Sequence, residues 1–156
     1  MKNVAGDTAT GSNSWNMGHH WEARAFQFYK NVPGTKSIQH TGSEGRQDFQ
    51  RNGNMYEVKS NSGVNNRGQK YSTHFVEKIH KSGDKTGWWK HRTDFYIAIN
   101  ESESKMFVYD AKQLKDYILD EGATAPGPDD GDGRRAMGCK VEWRCRAAGY
   151  LLAIPL

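Results

Sequence analysis

The chain has 156 residues, 35% hydrophobic and 26% charged, with a formal net charge of +4, which suits one domain around one modest core. No apolar run reaches the roughly 18 residues of a membrane span, and the start lacks a charged-then-apolar leader, so neither a membrane-spanning nor a secreted protein is expected. Two cysteines, Cys139 and Cys145, without zinc-ligand spacing, read as reduced thiols of a cytoplasmic protein, in the host cytoplasm if the chain is phage-encoded.

Residues 1–18 are rich in Gly, Asn, Ser and Thr and are expected to be a flexible arm ahead of a single domain over 19–156. From 19 to 30, Trp21, Ala25, Phe28 and Tyr29 repeat at helical spacing on one face, and Asn31 to Gly34 ends the helix. Glu22 lies on the flank of that face, about 75° from its centre, from which a carboxylate reaches the edge of a packed sheet. A short strand over 35–41 and a loop over 42–45 follow. The next strands, roughly 46–51 and 54–60, are joined by Asn52-Gly53, the strongest short-range hairpin signal. A polar loop over 61–69 holds Gly63 and Gly68, and Ser72 is placed to cap a helix running to about 81. Beyond a loop at 82–87 the pattern predicts buried strands at 95–99 and 106–109, a helix over 111–120 and an exposed loop over 121–138. Strands near 140–146 and 150–154 close the chain. Helices flanking a mixed sheet with a hairpin at its centre define an α/β fold.

If Asn52 and Gly53 are the central residues of a type I′ turn, Arg51 faces Asn54, Gln50 faces Met55, Phe49 faces Tyr56 and Asp48 faces Glu57. Opposed residues have Cβ atoms roughly 4.5 to 5.5 Å apart, and two carboxylates that close repel unless something positive joins them. The period of two along a strand sets Lys59 on the face of Glu57, and Tyr56, Val58 and Phe49 on the buried one. Glu and Lys two apart are common as a solvated ion pair; the opposed Asp48 is what needs a reason. A carboxylate pair beside a lysine on one rigid face is a divalent-cation site with a cationic helper. The surrounding charge is positive: residues 24–92 carry 13 Lys and Arg against 5 Asp and Glu, whereas 101–132 carry 3 against 9. A polyanionic substrate held through its phosphates fits the positive half. Candidate contacts are Lys36, Arg46, Arg51, Arg67 and Lys70, with Ser43 in the loop before Asp48. Trp88, Trp89, Lys90 and Arg92 add aromatics and cations suited to base stacking and phosphate contact.

Glu22 on a first helix, Asp48 opening a hairpin and Glu57-Val58-Lys59 on its second strand resemble the PD-(D/E)xK nuclease superfamily, the restriction-endonuclease-like fold. The run from Thr41 to Phe49 is similar to the Ser-Gly-rich loop before the catalytic aspartate of archaeal Holliday junction resolvases. Gln47 stands where the name-giving proline would be, and Gln39 and His40 stand where resolvases commonly have an arginine. The resemblance, over residues 19–100, implies a restriction-endonuclease-like α/β domain and a Mg²⁺-dependent endodeoxyribonuclease in which Mn²⁺ substitutes. Asp48, Glu57 and the Val58 carbonyl would ligate the metal, Glu22 would add a carboxylate, and Lys59 would orient and help deprotonate the water or stabilise the developing charge. It also implies DNA as partner, a homodimer, and either resolvase-type recombination or restriction-type or homing-type cleavage. A non-catalytic nucleic-acid-binding module and an RNA-cleaving enzyme are the alternatives on the same fold.

Overall fold

Runs with both faces apolar build the centre of the molecule. The computed structural model describes residues 10–41, 48–121, 125–127 and 133–156, with backbone alone for 10–19. Helix α1 (Thr10–Lys30) precedes strands β1 (Ile38–His40), β2 (Phe49–Arg51), β3 (Asn54–Asn61) and β4 (Thr73–Ile79). A single-turn α2 (Gly87–Lys90) leads to β5 (Phe95–Asn100), β6 (Lys105–Asp110) and α3 (Ala111–Glu121), and then to β7 (Ala125–Pro126), β8 (Met137–Glu142) and β9 (Tyr150–Pro155). Six strands form a mixed sheet in the order β9-β6-β5-β3-β2-β1, and β4, β8 and β7 form a second sheet in the order β4-β8-β7. In the large sheet β3 and β5 run parallel, from Tyr56↔Phe95 to Asn61↔Asn100, and the other neighbours are antiparallel. The molecule is a single mixed α/β domain. Among the described residues no helix is long and apolar enough to cross a membrane.

The large sheet separates two apolar layers. On one face Trp21, Ala25 and Tyr29 of α1 pack on Phe49, Tyr56, Val58 and Ile97. On the other, Trp88, Leu114 of α3, Val76 of β4 and Val141 of β8 close over Tyr96, Ala98, Phe107 and Tyr109. Each large side chain so buried contributes about 1.5 to 3 kcal/mol. This arrangement clamps β3 on both sides: Tyr56 and Val58 point into the α1 layer, while Glu57 and Lys59 point to the face under the small sheet.

Several expectations are corrected. The segment expected to be a helix from Ser72 is the strand β4, because its true period is two: His74 and Val76 are buried while Thr73, Phe75 and Glu77 alternate outward. Helix α1 starts at Thr10 and not His19; extending an existing helix adds a hydrogen bond per residue without a new nucleus, which lets poor helix formers follow. Part of the expected arm is thus helical, and residues 1–9 lie outside the described residues. The expected loop over 121–138 contains β7 and the start of β8. Cys145 falls after β8 and not on it, and both cysteines are free.

Candidate active site

The hairpin forms in the expected register, with Arg51↔Asn54, Gln50↔Met55 and Phe49↔Tyr56 paired. Asn52 (φ 49°) and Gly53 (φ 83°) supply the two left-handed residues that a type I′ turn requires. At Asp48 the ladder breaks. Its N–H donates to the carbonyl of Tyr56 at 2.9 Å, where the expected Asp48–Glu57 pair of a regular ladder would turn that N–H away from β3. This is a departure of the β-bulge kind, which re-aims a side chain beside a functional site. The Asp48 carboxylate thereby turns to the backbone of the opposite strand, where Oδ2 accepts from the Val58 N–H at 2.5 Å.

Glu57 is 5% exposed. Its Oε2 lies 3.3 Å from Lys59 Nζ, and its Oε1 is buried without a hydrogen-bond partner. Burial, and then the neighbouring Asp48, push the Glu57 carboxyl well above the ordinary carboxylate range. Asp48 is raised as well, by burial first and by Glu22 second, against the lowering effects of the Val58 N–H and Lys59. Glu22, half-buried on α1, is raised by burial, with Lys59 opposing and Glu57 adding. Burial disfavours the Lys59 ammonium, but Glu57 and Asp48 outweigh that and hold it above its usual value. Its side chain is nevertheless 51% exposed, at the open edge of the cluster. Glu22, Asp48, Glu57 and Lys59 therefore act on one another as a single electrostatic unit.

A fifth member escaped sequence reasoning. Glu77 of β4 raises Glu57 and helps hold the Lys59 proton. The signal that would have found it is the alternation across 73–77, where a period of two replaces the helical period. Its backbone is fixed at the same point, since the Glu77 carbonyl accepts from Trp88 Nε1 at 2.7 Å.

The oxygen donors gathered here are of the kind hard divalent cations take. A buried carboxylate oxygen without a partner carries a desolvation cost that a proton or a cation relieves. Among the described residues no group of three His, Cys, Asp or Glu side chains would hold a metal unaided, so main-chain oxygen or water would have to complete any coordination shell.

The candidate nucleic-acid contacts divide. Arg51 is committed within the fold: its Nε donates to Thr35 Oγ1 at 2.8 Å, an Nη to the Tyr56 hydroxyl at 3.2 Å, and it stacks on Tyr29. Arg92 pairs with Asp94 at 2.9 Å and bonds the Gly53 carbonyl. Lys36 is exposed beside the same turn, its N–H on Asn52 Oδ1. These three sit at the turn end of the hairpin, away from the carboxylates. Trp88 is corrected outright, because at 1% exposure it is a core residue and offers no face to a base. Trp89 is half-buried under Lys78, and Lys90 is exposed. Arg67 and Lys70 are exposed on the loop after β3. Ser43 and Arg46 lie outside the described residues.

No family model, curated protein or solved structure matches the chain.

Proposed function

We propose that the chain is a metal-dependent endodeoxyribonuclease of restriction-endonuclease-like arrangement, hydrolysing DNA phosphodiester bonds with water. The observation that carries this reading is the Glu57 carboxylate, buried with one oxygen unpartnered and held beside Asp48 and Lys59. A fold stabilised by apolar layers on both sides of β3 has no structural use for that arrangement, which is destabilising without a cation or a proton.

Asp48 and Glu57, with the Val58 carbonyl, would hold Mg²⁺ or Mn²⁺, and Glu22 would join directly or through water. Such a cation supplies Lewis acidity and a water acidic enough to attack at neutral pH. Lys59 stays protonated there because the carboxylates favour its charge, so it works as a hydrogen-bond donor to the water and to the phosphoryl oxygen on which charge develops. Glu57 and Asp48, with a smaller contribution from Glu77, favour that ammonium. The positive half of the chain suits a phosphate backbone. Two strands cut by one small domain call for two copies, and a homodimer in the cytoplasm is the expected assembly.

The test is plasmid nicking with Mg²⁺ or Mn²⁺ by the wild type and by Asp48→Ala and Lys59→Ala. Variants that cut like the parent would place the chemistry elsewhere. Four-way junction, flap, linear duplex and RNA arms separate resolvase-type, restriction-type or homing-type, and RNA-directed cleavage. A second reading, a non-catalytic nucleic-acid-binding module, is favoured by one observation: Asp48 Oδ2 is already taken by the Val58 N–H. Tight DNA binding without nicking under any of these metals would decide for it.

A further inference from the structure

A cavity of about 670 Å³ opens between the loop that follows β3 and the small sheet. That volume lies within the range of small-molecule and nucleotide sites. Two strands connect it to the cluster. Asn61 in its wall is two residues beyond Lys59 on β3, and Phe75 in its wall is two residues before Glu77 on β4. Two residues of strand span about 7 Å, roughly two steps of stacked nucleic-acid strand at 3.4 Å per step.

The wall has a consistent chemistry. Its charged residues are Arg135 and Lys140, both cationic, and none of its residues is acidic. Flat apolar surface comes from Tyr71, Phe75 and Trp143. Tyr71 is 51% exposed, yet its backbone is fixed on both sides. Its N–H donates to the Gly63 carbonyl at 2.9 Å, and its carbonyl accepts from Trp143 Nε1 at 3.0 Å. Gly63 is itself locked: at φ +80° a Cβ there would stand 2.0 Å from Asn100 Oδ1. An aromatic ring carried on a fixed backbone at the rim, with half its area in solvent, is suited to stacking.

Behind the wall residue His74 lies a polar contact. The Tyr109 hydroxyl donates to the Trp143 carbonyl at 2.6 Å and lies 2.8 Å from His74 Nε2. With its proton spent, that hydroxyl accepts, so His74 is the Nε2–H tautomer. Nδ1 is then a bare lone pair, and it has no partner although His74 is 3% exposed.

We infer that this cavity is a nucleotide pocket of the proposed nuclease, in which the base of one unpaired nucleotide stacks against Tyr71 and Phe75 while its phosphate meets Lys140 and Arg135. The inference rests on the nuclease reading for the kind of substrate that reaches it. It makes the pocket the place where one nucleotide near the scissile phosphate is pulled from its stack and read. A preference for unpaired or easily unpaired nucleotides would then come from the pocket and not from the carboxylates.

Mononucleotide binding tests it. In EDTA, where no cleavage proceeds, the whole chain is titrated with dAMP, dCMP, dGMP and TMP, and quenching of tryptophan fluorescence is followed. Saturable quenching by at least one of the four is expected. Tyr71→Ala and Lys140→Ala should each weaken it about tenfold or more, Tyr71→Phe should restore it, and Lys59→Ala should leave it as in the parent. Both alanine positions are exposed, and an unchanged thermal midpoint certifies their folding. The inference is overturned by absence of saturable quenching, by Tyr71→Ala and Lys140→Ala binding like the parent, or by Lys59→Ala weakening binding as much as they do. Nicking with Mg²⁺, measured alongside, judges the nuclease reading by itself. A chain that nicks but binds no mononucleotide loses only the pocket, and one that binds at Tyr71 but never nicks loses only the nuclease.

Discussion

The two ends of the β2–β3 hairpin carry similar residues to opposite purposes. At the turn end Asn52, Arg92 and Asp94 all have complements. Asn52 Oδ1 accepts from the Lys36 and Ser37 N–H groups, its Nδ2 donates to the Gly34 carbonyl, and Arg92 joins Asp94, which in turn accepts from the Met55 N–H. At the open end, four residues away, acids outnumber the single lysine and a buried oxygen of Glu57 has no partner. Charge that closes on itself is structure, and charge left open inside a rigid frame is available for chemistry. The presence of arginines and carboxylates alone does not separate the two cases; their satisfaction does.

The comparison breaks most visibly in activity. Asp48→Asn and Lys59→Ala should lower single-turnover nicking by on the order of 10²-fold or more, with the far-ultraviolet spectrum unchanged, whereas turn-end variants should nick like the parent per folded molecule.

Next in size is the response to a cation. At pH 8, Mn²⁺ at about 100 times its dissociation constant should stabilise the wild type by about 2.7 kcal/mol, a midpoint rise of roughly 5 to 10 °C, and Glu57→Gln should remove that rise. Without metal, the two ends differ in pH dependence. Asp48 and Glu57 have folded-state values above their unfolded ones. The stability they contribute is therefore full below the ordinary carboxylate value and is lost as pH rises towards neutrality and just beyond. In metal-free protein Glu57→Gln should flatten that decline, read as the midpoint measured from pH 5 to pH 8. His74 has the opposite sign. Burial lowers it to about 3, so its contribution is present above its unfolded value of about 6.5 and fades as pH falls.

Asn52→Ala should cost about 1 to 3 kcal/mol in urea unfolding, since it leaves three backbone partners unmet at a positive φ. Arg92→Ala should cost the least, under about 1 kcal/mol, because its ion pair with Asp94 is solvent-screened with the arginine 65% exposed. A turn-end loss larger than the Glu57 effect would erase the distinction between the ends.

The register of this hairpin was legible because a two-residue Asn-Gly turn determines the pairing locally. The helical face of Trp21, Ala25 and Tyr29 was legible for the same reason, and with it the place of Glu22. What the sequence hid depends on distant partners. β4 is held by pairing with β8, from Thr73↔Glu142 to Ile79↔Met137, and nothing within 72–81 announces a neighbour some sixty residues on. The misread period concealed Glu77 and the outer face with Phe75. Trp88 was misjudged because exposure follows from what covers a residue, here Tyr96 and Leu114. The break at Asp48 depends on how Thr41 and Val58 meet its backbone and carboxylate, which no local pattern encodes.

One feature of the topology bears on folding rates. The chain leaves β3 at Asn61 and returns alongside it, parallel, only at Phe95, so the pair Glu57↔Tyr96 joins residues separated by a long loop that holds β4 and α2. Contacts that must wait for such a loop form late and slowly. The hairpin sets Asp48 near Glu57 early, in water, where their repulsion is weak; it grows only when β5 and the small sheet exclude solvent. Relief of that repulsion, by Glu57→Gln or by a bound cation, therefore belongs to the unfolding limb of the chevron: the folded protein opens more slowly while its rate of formation barely moves.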